Sequence, residues 1–252
     1  MKIIIANWKM NPATLEEASG LFDFYLSEMQ KYKNIRLVVC PPFVYIEELA
    51  KKLLTAHNLP LSLGSQDLFW ESAGPYTGEV SVDMLKNFSV THVLVGHSDR
   101  RYKIGETDEV VNKKIKAALE AEITPVLLVG ERNQGDDRKM ILEEQLRLDL
   151  SGLTVEQVSK ILTTYEPVWA ISTAPDSEPD TPENTLGAIK MIQELIAITH
   201  SPKLITCLYG GSVNSQNVLN FLKHPEISGA VIGGASLRKE EFGEILRKIS
   251  EI

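Results

Sequence analysis

The sequence has few cysteines, no long apolar run and no excess of positive charge. The only two cysteines among the 252 residues, Cys40 and Cys207, each lie in an apolar stretch. They are typical of buried thiols in a reducing compartment, which argues against a disulfide-based fold. The net charge of −8 offers no basic surface for nucleic acid. No apolar run reaches membrane-spanning length, and the run after Met1 is too short for a signal peptide, so we expect a cytoplasmic protein without membrane contact.

The remaining composition is that of an ordinary globular protein, with 43% hydrophobic and 24% charged residues. A chain of this length can bury one large core or form two small domains. No Pro/Ser-rich linker or charge run divides it. We therefore expect a single domain over residues 1–252.

Eight short apolar segments recur along the chain, and most are continuous, as in strands buried on both faces. They cover residues 3–7, 35–40, 60–65, 91–96, 124–130, 161–166, 204–209 and 229–233. One helical pattern follows Thr14, an expected N-cap with Glu17 as its capping-box partner. Further helical patterns cover 43–56, 110–119, 141–150, 186–198, 218–222 and 242–249. The alternation predicts an α/β fold, a closed (β/α)8 barrel, with a doubly wound open sheet as the alternative.

Polar residues and glycines gather at the ends of the predicted strands. These positions are Asn7 and Lys9, His97, Glu131, Glu166, Gly210 to Ser212, and Gly233 and Gly234. In a parallel barrel all of them lie on the C-terminal rim, where the active sites of such barrels are built.

The two glycine pairs favour a phosphate site, since the first precedes a helix expected to open near Asn214 and the second precedes the final predicted helix. Glycine lets backbone N–H groups approach an anion, and the last two βα loops of a barrel are a recurrent phosphate site. Either pair alone is also consistent with a plain strand-to-helix turn. Ser212 directly follows the first pair.

Lys9 and His97 suit the stabilisation of a substrate oxyanion. His97 is expected to begin a helix, whose N-terminal potential favours a neutral ring. The alternatives are a surface lysine and a solvated histidine. Arg100 and Arg101 are expected to pair with acids that support the rim. No ligand spacing among His, Cys and acidic residues indicates a metal.

Glu166 ends a β-branched run and precedes a long polar segment that reaches Pro182. A carboxylate beneath a loop that covers it is a reactive arrangement, because closure removes water. The alternative is a strand that simply leaves the core. Together with Asn7, Lys9 and His97, Glu166 suits proton abstraction beside a carbonyl and an aldose–ketose isomerisation without a cofactor.

Several motifs in the same order resemble the triosephosphate isomerase family along the whole chain. They are Ala-Asn-Trp-Lys-Met-Asn at 6–11, Tyr-Thr-Gly-Glu-Val-Ser at 76–81, Val-Gly-His-Ser-Asp-Arg-Arg at 95–101, Tyr-Glu-Pro-Val-Trp-Ala-Ile at 165–171, Leu-Tyr-Gly-Gly-Ser-Val-Asn at 208–214 and Gly-Gly-Ala-Ser-Leu at 233–237. The resemblance implies a TIM barrel that interconverts dihydroxyacetone phosphate and glyceraldehyde 3-phosphate.

The resemblance also implies a role for each site residue. Glu166 becomes the base and His97 the electrophile, a division of labour known for this family. Asn7 and Lys9 contact the substrate. The phosphate donors would be Ser172, Ser212, Gly233 and Gly234. The family is usually a homodimer, in which the loop around Thr77 reaches the partner's site.

The chain departs from the family pattern in four places. Asp99 stands where the family usually has Glu, and we expect it to fall short of Lys9. Leu128 replaces a cysteine and Pro75 an alanine. The lid at 172–180 lacks the usual glycines and lysine and is about three residues longer. Two other interpretations remain open: an isomerase of another small phosphosugar, and a catalytically weak barrel that binds phosphate metabolites or a protein partner.

Overall fold

A computed structural model describes residues 1–56, 58–171, 177–200 and 205–252. In this part of the chain, eight parallel strands form a closed barrel in sequence order. The strands are β1 Lys2–Asn7, β2 Ile35–Cys40, β3 Leu61–Ser65, β4 His92–Val95, β5 Thr124–Val129, β6 Leu162–Tyr165, β7 Thr206–Tyr209 and β8 Gly229–Ile232. The predicted (β/α)8 barrel is confirmed. The open sheet is wrong, because β1 pairs with both β2 and β8 and leaves no edge.

Helices separate successive strands. They are α1 Leu15–Met29, α2 Phe43–Leu54, α3 Val82–Asn87, α4 Asp108–Glu120, α5 Arg138–Asp149, α6 Val155–Ser159, α7 Pro182–His200, α8 Val218–Leu222 and α9 Lys239–Ile249. The sequence prediction found the short α8, in which four of five residues are apolar, but it missed α3 and α6, in which the apolar residues are fewer. The predicted start of β7 at Leu204 lies outside the described residues.

Side-chain caps set where several helices begin. Thr14 accepts a hydrogen bond from the N–H of Glu17, so the predicted N-cap is confirmed. The structure shows the full reciprocal capping box at Thr154 and Gln157. Ser81 and Thr107 cap α3 and α4 in the same way as Thr14. A cap of this kind contributes about 1 kcal/mol, so each boundary is encoded locally.

The apolar core has two layers. The larger layer contains apolar residues of the helices together with one face of the strands, so it lies between barrel and helices. The smaller contains strand residues alone and therefore fills the barrel interior: Ile5, Val38, Cys40, Leu94, Val126, Leu128, Leu162, Leu208 and Val231. Alternate residues of a strand point to opposite faces, which is why β1 contributes Ile4 and Ala6 to one layer and Ile5 to the other. No helix in the described ranges is long and apolar enough to cross a membrane.

Candidate active site

The strand ends surround a cavity of about 200 Å³. It is lined by Asn7, Lys9, His97, Glu166, Ile171, Gly210, Gly211, Ser212, Val213, Asn214, Val231, Gly233, Gly234, Ala235 and Arg238. The barrel thus brings together most of the site residues expected from the sequence. Ser172 lies outside the described residues. Thr77 lies on the exposed loop after β3, away from the cavity lining.

Glu166 is held at the end of β6 with only 3% of its surface exposed. The backbone N–H and the hydroxyl of Ser98 donate to its two carboxylate oxygens at 2.9 and 3.1 Å. Its own N–H donates to the carbonyl of Val129 at 2.8 Å. Two directed donors fix the carboxylate in one orientation. Ser98 lies in the motif at 95–101, but the sequence prediction assigned no role to it.

His97 lies beside this carboxylate, with Nε2 3.2 Å from Oε1 of Glu166. The backbone N–H of Asp99 donates to Nδ1 at 3.0 Å. Because a backbone N–H can only donate, Nδ1 presents its lone pair and the ring proton is on Nε2. Ser98 and Asp99 are already helical, so the prediction that His97 begins a helix is confirmed. The helix continues as a π-helical turn at Arg100–Ile104.

Lys9 has a left-handed backbone, with φ of 52°. For a residue with a side chain this conformation is strained and needs support from its surroundings. Oδ1 of Asn7 accepts the Lys9 N–H at 3.0 Å, and Nε2 of Gln66 donates to the Lys9 carbonyl at 2.7 Å. Gln66 also donates to the Cys40 carbonyl at 2.9 Å and so joins the loops after β1 and β2. Gln66 is a second residue whose role the sequence prediction missed.

The expectation that Asp99 falls short of Lys9 is wrong. Nζ of Lys9 lies 3.1 Å from Oδ2 of Asp99. The long lysine side chain has enough rotatable bonds to compensate for one methylene. Burial alone would raise the pKa of Asp99, but the hydrogen bond from Lys103, followed by the neighbouring His97 and Lys9, outweighs it and lowers that pKa to about 2. The carboxylate is therefore charged at any working pH.

The glycine loops form the other side of the cavity. The N–H and hydroxyl of Ser212 both donate to the Ala170 carbonyl, at 3.2 and 2.7 Å. This contact links the loop after β7 to the start of the predicted lid. The helix expected near Asn214 begins later, at Val218, because Oδ1 of Asn214 first accepts the N–H groups of residues 216 and 217 in a turn.

Glu131, noted at a strand end, does not line the cavity. It is buried beneath the start of the lid, where Oε1 accepts from the Tyr165 hydroxyl at 2.7 Å and the Trp169 indole N–H at 3.0 Å. Nε of Arg138 donates to the same oxygen at 3.1 Å, and Nη2 of Arg138 donates to Asn184 at 2.7 Å. The side chains therefore tie together the two ends of the segment that contains the predicted lid.

The two arginines after His97 pair with acids, as predicted. Arg100 contacts Asp67 at 2.8 Å and Glu106 at 2.6 Å. Arg101 contacts Asp149 at 2.7 Å and also Asp108, and its Nε donates to the Gly96 carbonyl at 2.7 Å. Burial raises the pKa of Asp149 well above its ordinary value despite the charge of Arg101. These pairs hold the segment that carries His97 onto the rim.

In the described part of the chain, no group of three or more His, Cys, Asp or Glu side chains could hold a metal ion. The cations at the cavity are side chains, Lys9 and Arg238. The site chemistry available from these residues is hydrogen bonding, charge stabilisation and proton transfer.

A parallel barrel with a buried carboxylate, an imidazole and an ammonium group at its C-terminal rim is the architecture of a (β/α)8-barrel enzyme. A sequence model described as triosephosphate isomerase matches residues 2–249. The chain belongs to the triosephosphate isomerase family.

Individual relatives agree with this assignment. Proteins named triosephosphate isomerase from Dictyoglomus turgidum and Dictyoglomus thermophilum are 40% and 41% identical over 250 residues, which is 98% of each chain. The protein of that name from Aquifex aeolicus is 39% identical over 251 residues, with 97% of this chain and 98% of the relative covered. The similarity thus extends over the whole barrel and is not confined to the site motifs.

Proposed function

We propose that the protein catalyses the interconversion of dihydroxyacetone phosphate and D-glyceraldehyde 3-phosphate. The observation that carries the proposal is the 3.2 Å separation between Oε1 of Glu166 and Nε2 of His97, beside a cavity lined by the glycine loops. A base and a ring N–H at this separation can act on a carbon-bound proton and on the neighbouring oxygen of one small substrate.

In the proposed reaction Glu166 removes the proton from the carbon next to the substrate carbonyl. The negative charge moves to the carbonyl oxygen and forms an enediolate, which Nε2–H of His97 and Nζ of Lys9 stabilise. Asn7 contacts the substrate and supports the backbone of Lys9. The hydroxyl proton on the first carbon's oxygen must also move to the former carbonyl oxygen, and the His97 ring can shuttle it. Glu166 then returns the carbon-bound proton to the neighbouring carbon, so no atom is gained or lost.

The proposed phosphate donors are Ser212, Gly233, Gly234 and Ser172. In the present structure both donors of Ser212 are bonded to the Ala170 carbonyl. A phosphate that takes these donors must displace that carbonyl, so phosphate binding would move the first residues of the lid.

The direct test is a coupled assay of glyceraldehyde 3-phosphate isomerisation, with Glu166→Gln beside the wild-type protein. Loss of the base should lower kcat roughly 10²- to 10⁴-fold. Equal activity in both proteins would overturn the assignment of the base. Larger phosphosugars tested in the same way address the alternative of another substrate, and an inactive wild-type protein would favour the binding barrel.

We also propose that residues 172–180 form a longer lid with altered kinetics. Residues 172–176 lie outside the described residues, so the support comes from the sequence and from the segment's end. There Asp180 accepts hydrogen bonds from Asn184 at 2.6 Å and Thr185 at 2.7 Å at the start of α7. Slower or incomplete closure would let the enediolate eliminate inorganic phosphate, and the remaining three-carbon fragment would become methylglyoxal. The prediction is contradicted if this protein turns over as fast as a family member with a standard lid and releases no more methylglyoxal than that enzyme does.

The proposed assembly is a homodimer formed around the loop that carries Thr77. The N–H of Phe69 donates to the Val80 carbonyl at 2.8 Å and closes this loop at its base. Exposed apolar side chains follow the neighbouring strands β1 and β2: Met10 is 94% exposed and Val44 79%. Light scattering should give twice the mass of one chain, and Thr77→Arg should lower it. A wild-type protein of single-chain mass would refute the dimer.

The two buried free thiols support the proposed cytoplasmic location.

A further inference from the structure

The cavity joins two loops that are far apart in sequence. One contains Asn7 and Lys9 after β1, and the other contains Gly233 and Gly234 after β8. The two loops approach closely, since a Cβ added at Gly233 would lie 3.4 Å from Cε of Lys9. A substrate that contacts both loops needs a constant distance between them, so whatever connects them matters for binding.

One buried hydroxyl connects them. Tyr25 of α1 is completely buried. Its hydroxyl accepts a hydrogen bond from the indole N–H of Trp8 at 3.2 Å and donates to the carbonyl of Ser236. Trp8 lies between Asn7 and Lys9, and Ser236 follows the second glycine pair. The Tyr25 ring is held by Phe242 of α9, with ring centres 5.1 Å apart.

The connection continues from Ser236 to Gly233 and Gly234, which form the proposed phosphate loop. The N–H and the hydroxyl of Ser236 both donate to the Gly233 carbonyl, at 2.9 and 2.7 Å. The C=O of one residue and the N–H of the next point in opposite directions in a trans peptide. Because the Gly233 carbonyl is held towards Ser236, the N–H of Gly234 must point the other way, out of the turn.

We propose that Tyr25 is a positioning residue that aligns the phosphate loop with the loop of Lys9. Its hydroxyl holds Ser236, which orients the Gly233–Gly234 peptide. Through Trp8 the same hydroxyl fixes the position of this peptide relative to Asn7 and Lys9. This inference rests on the proposed function, because it assigns Tyr25 to the binding of the substrate phosphate. Tyr25 does not touch the substrate.

The test is Tyr25→Phe, which removes the hydroxyl and keeps the ring. The KM for glyceraldehyde 3-phosphate and the inhibition constant of inorganic phosphate should both rise roughly five- to tenfold, as expected when the hydroxyl's bond to Ser236, the one of its two hydrogen bonds that orients the phosphate loop, is lost. Turnover at saturation should change less than threefold. With D-glyceraldehyde, which has no phosphate, kcat/KM should stay at the wild-type value. A general loosening of the fold would lower both activities together.

Two further variants keep the test decisive. Ser236→Ala removes only the hydroxyl bond to Gly233 and should show the same pattern more weakly, and the double variant should be less than additive. Tyr45→Phe is the matched control, since its buried hydroxyl donates to a backbone carbonyl, that of Pro12, at 2.9 Å. It should leave phosphate inhibition unchanged.

The outcomes separate the two proposals. A wild-type protein without triose phosphate isomerisation overturns the proposed function. If the wild-type protein is active and Tyr25→Phe leaves the inhibition constant of inorganic phosphate unchanged, the role of Tyr25 is overturned. Equal losses with glyceraldehyde and its phosphate, or an equal effect of Tyr45→Phe, would also overturn it. The expected split between the two substrates supports it.

Discussion

Replacement of Gly130, which does not line the cavity, by alanine should displace Glu166, the proposed catalytic base. Gly130 follows β5 and lies against the backbone of Glu166. An ideal Cβ at this position would be only 2.1 Å from the Glu166 carbonyl oxygen and 2.6 Å from its carbon. The obstruction is backbone, which cannot rotate away as a long side chain could.

The size of the displacement follows from these distances. A real Cβ contact below 3.0 Å essentially never occurs, so the two segments must separate by at least 0.9 Å. Gly130 is held on its other side, where Gln145 accepts its N–H at 2.9 Å and donates to its carbonyl at 3.4 Å. Much of the movement therefore falls on Glu166. Misplacement of a reacting group by about 1 Å lowers the rate on the order of 10²-fold, and overpacking destabilises by roughly 1–3 kcal/mol.

Steady-state kinetics with glyceraldehyde 3-phosphate and urea unfolding measure the two effects separately. We expect kcat of Gly130→Ala to fall roughly 10²-fold, with the protein still folded. Gly187→Ala is the matched control, because Gly187 lies within α7 and a Cβ there meets nothing within 4 Å. That change should keep full activity and add about 0.5–1 kcal/mol of stability, since alanine favours the helix.

If folded Gly130→Ala protein keeps kcat within threefold of the wild type, the close approach of Gly130 does not position Glu166. If Gly187→Ala loses activity to a similar extent, the effect is not specific to the site. Either result would refute the argument from the strand contact.

Three further changes test other parts of the site. Ser98→Ala removes one of the two donors to Glu166 and should lower kcat about tenfold, as expected for a bond to a charged group; unchanged kcat would contradict it. Asp99→Asn breaks a partly exposed ion pair with Lys9 and should lower kcat/KM up to about fivefold. Because the pKa of Asp99 is about 2, the factor by which kcat/KM of the variant falls below that of the wild type should be constant from about pH 5 to 8. A factor that varies with pH over this range would refute the assignment. Burial, followed by the charge of Arg36, lowers the pKa of His92 to about 4. The folded state thus favours neutral His92, so its contribution to stability is complete above about pH 6.5 and is lost as the pH falls towards 4. Between about pH 7 and 5 the wild type should lose about 2 kcal/mol more unfolding free energy than His92→Asn, and equal losses in urea titrations would show that His92 is not responsible.

The barrel was predictable from the sequence because both of its signals are local. Each strand is a short apolar run and each long helix has a periodic apolar face, so eight alternations appear without any tertiary information. Closure was decided by the structure, in which β1 pairs with both β2 and β8, because the same count also allowed a doubly wound open sheet. The short helices α3 and α6 were missed, because they contain few apolar residues and their starts depend on the caps Ser81 and Thr154.

The membership of the site was predictable for a related reason. Parallel topology places every strand end on one rim, so Asn7, Lys9, His97 and Glu166 could be grouped before any distance was known. Their supporting contacts were not predictable. Whether Asp99 reaches Lys9 depends on the conformation of a long side chain, and here the sequence-based expectation was wrong.

The sequence by itself determined the positions of the strands along the chain, the N-cap at Thr14 and the residue types at the rim, since these depend on neighbours along the chain. Only the tertiary structure decided how the rim residues are held. Ser98 supports Glu166 across a sequence distance of 68 residues, and the Tyr25 hydroxyl reaches the Ser236 carbonyl across 211 residues. Contacts of this kind arise from the close approach of backbone segments in the closed barrel, and no local pattern in the chain encodes them.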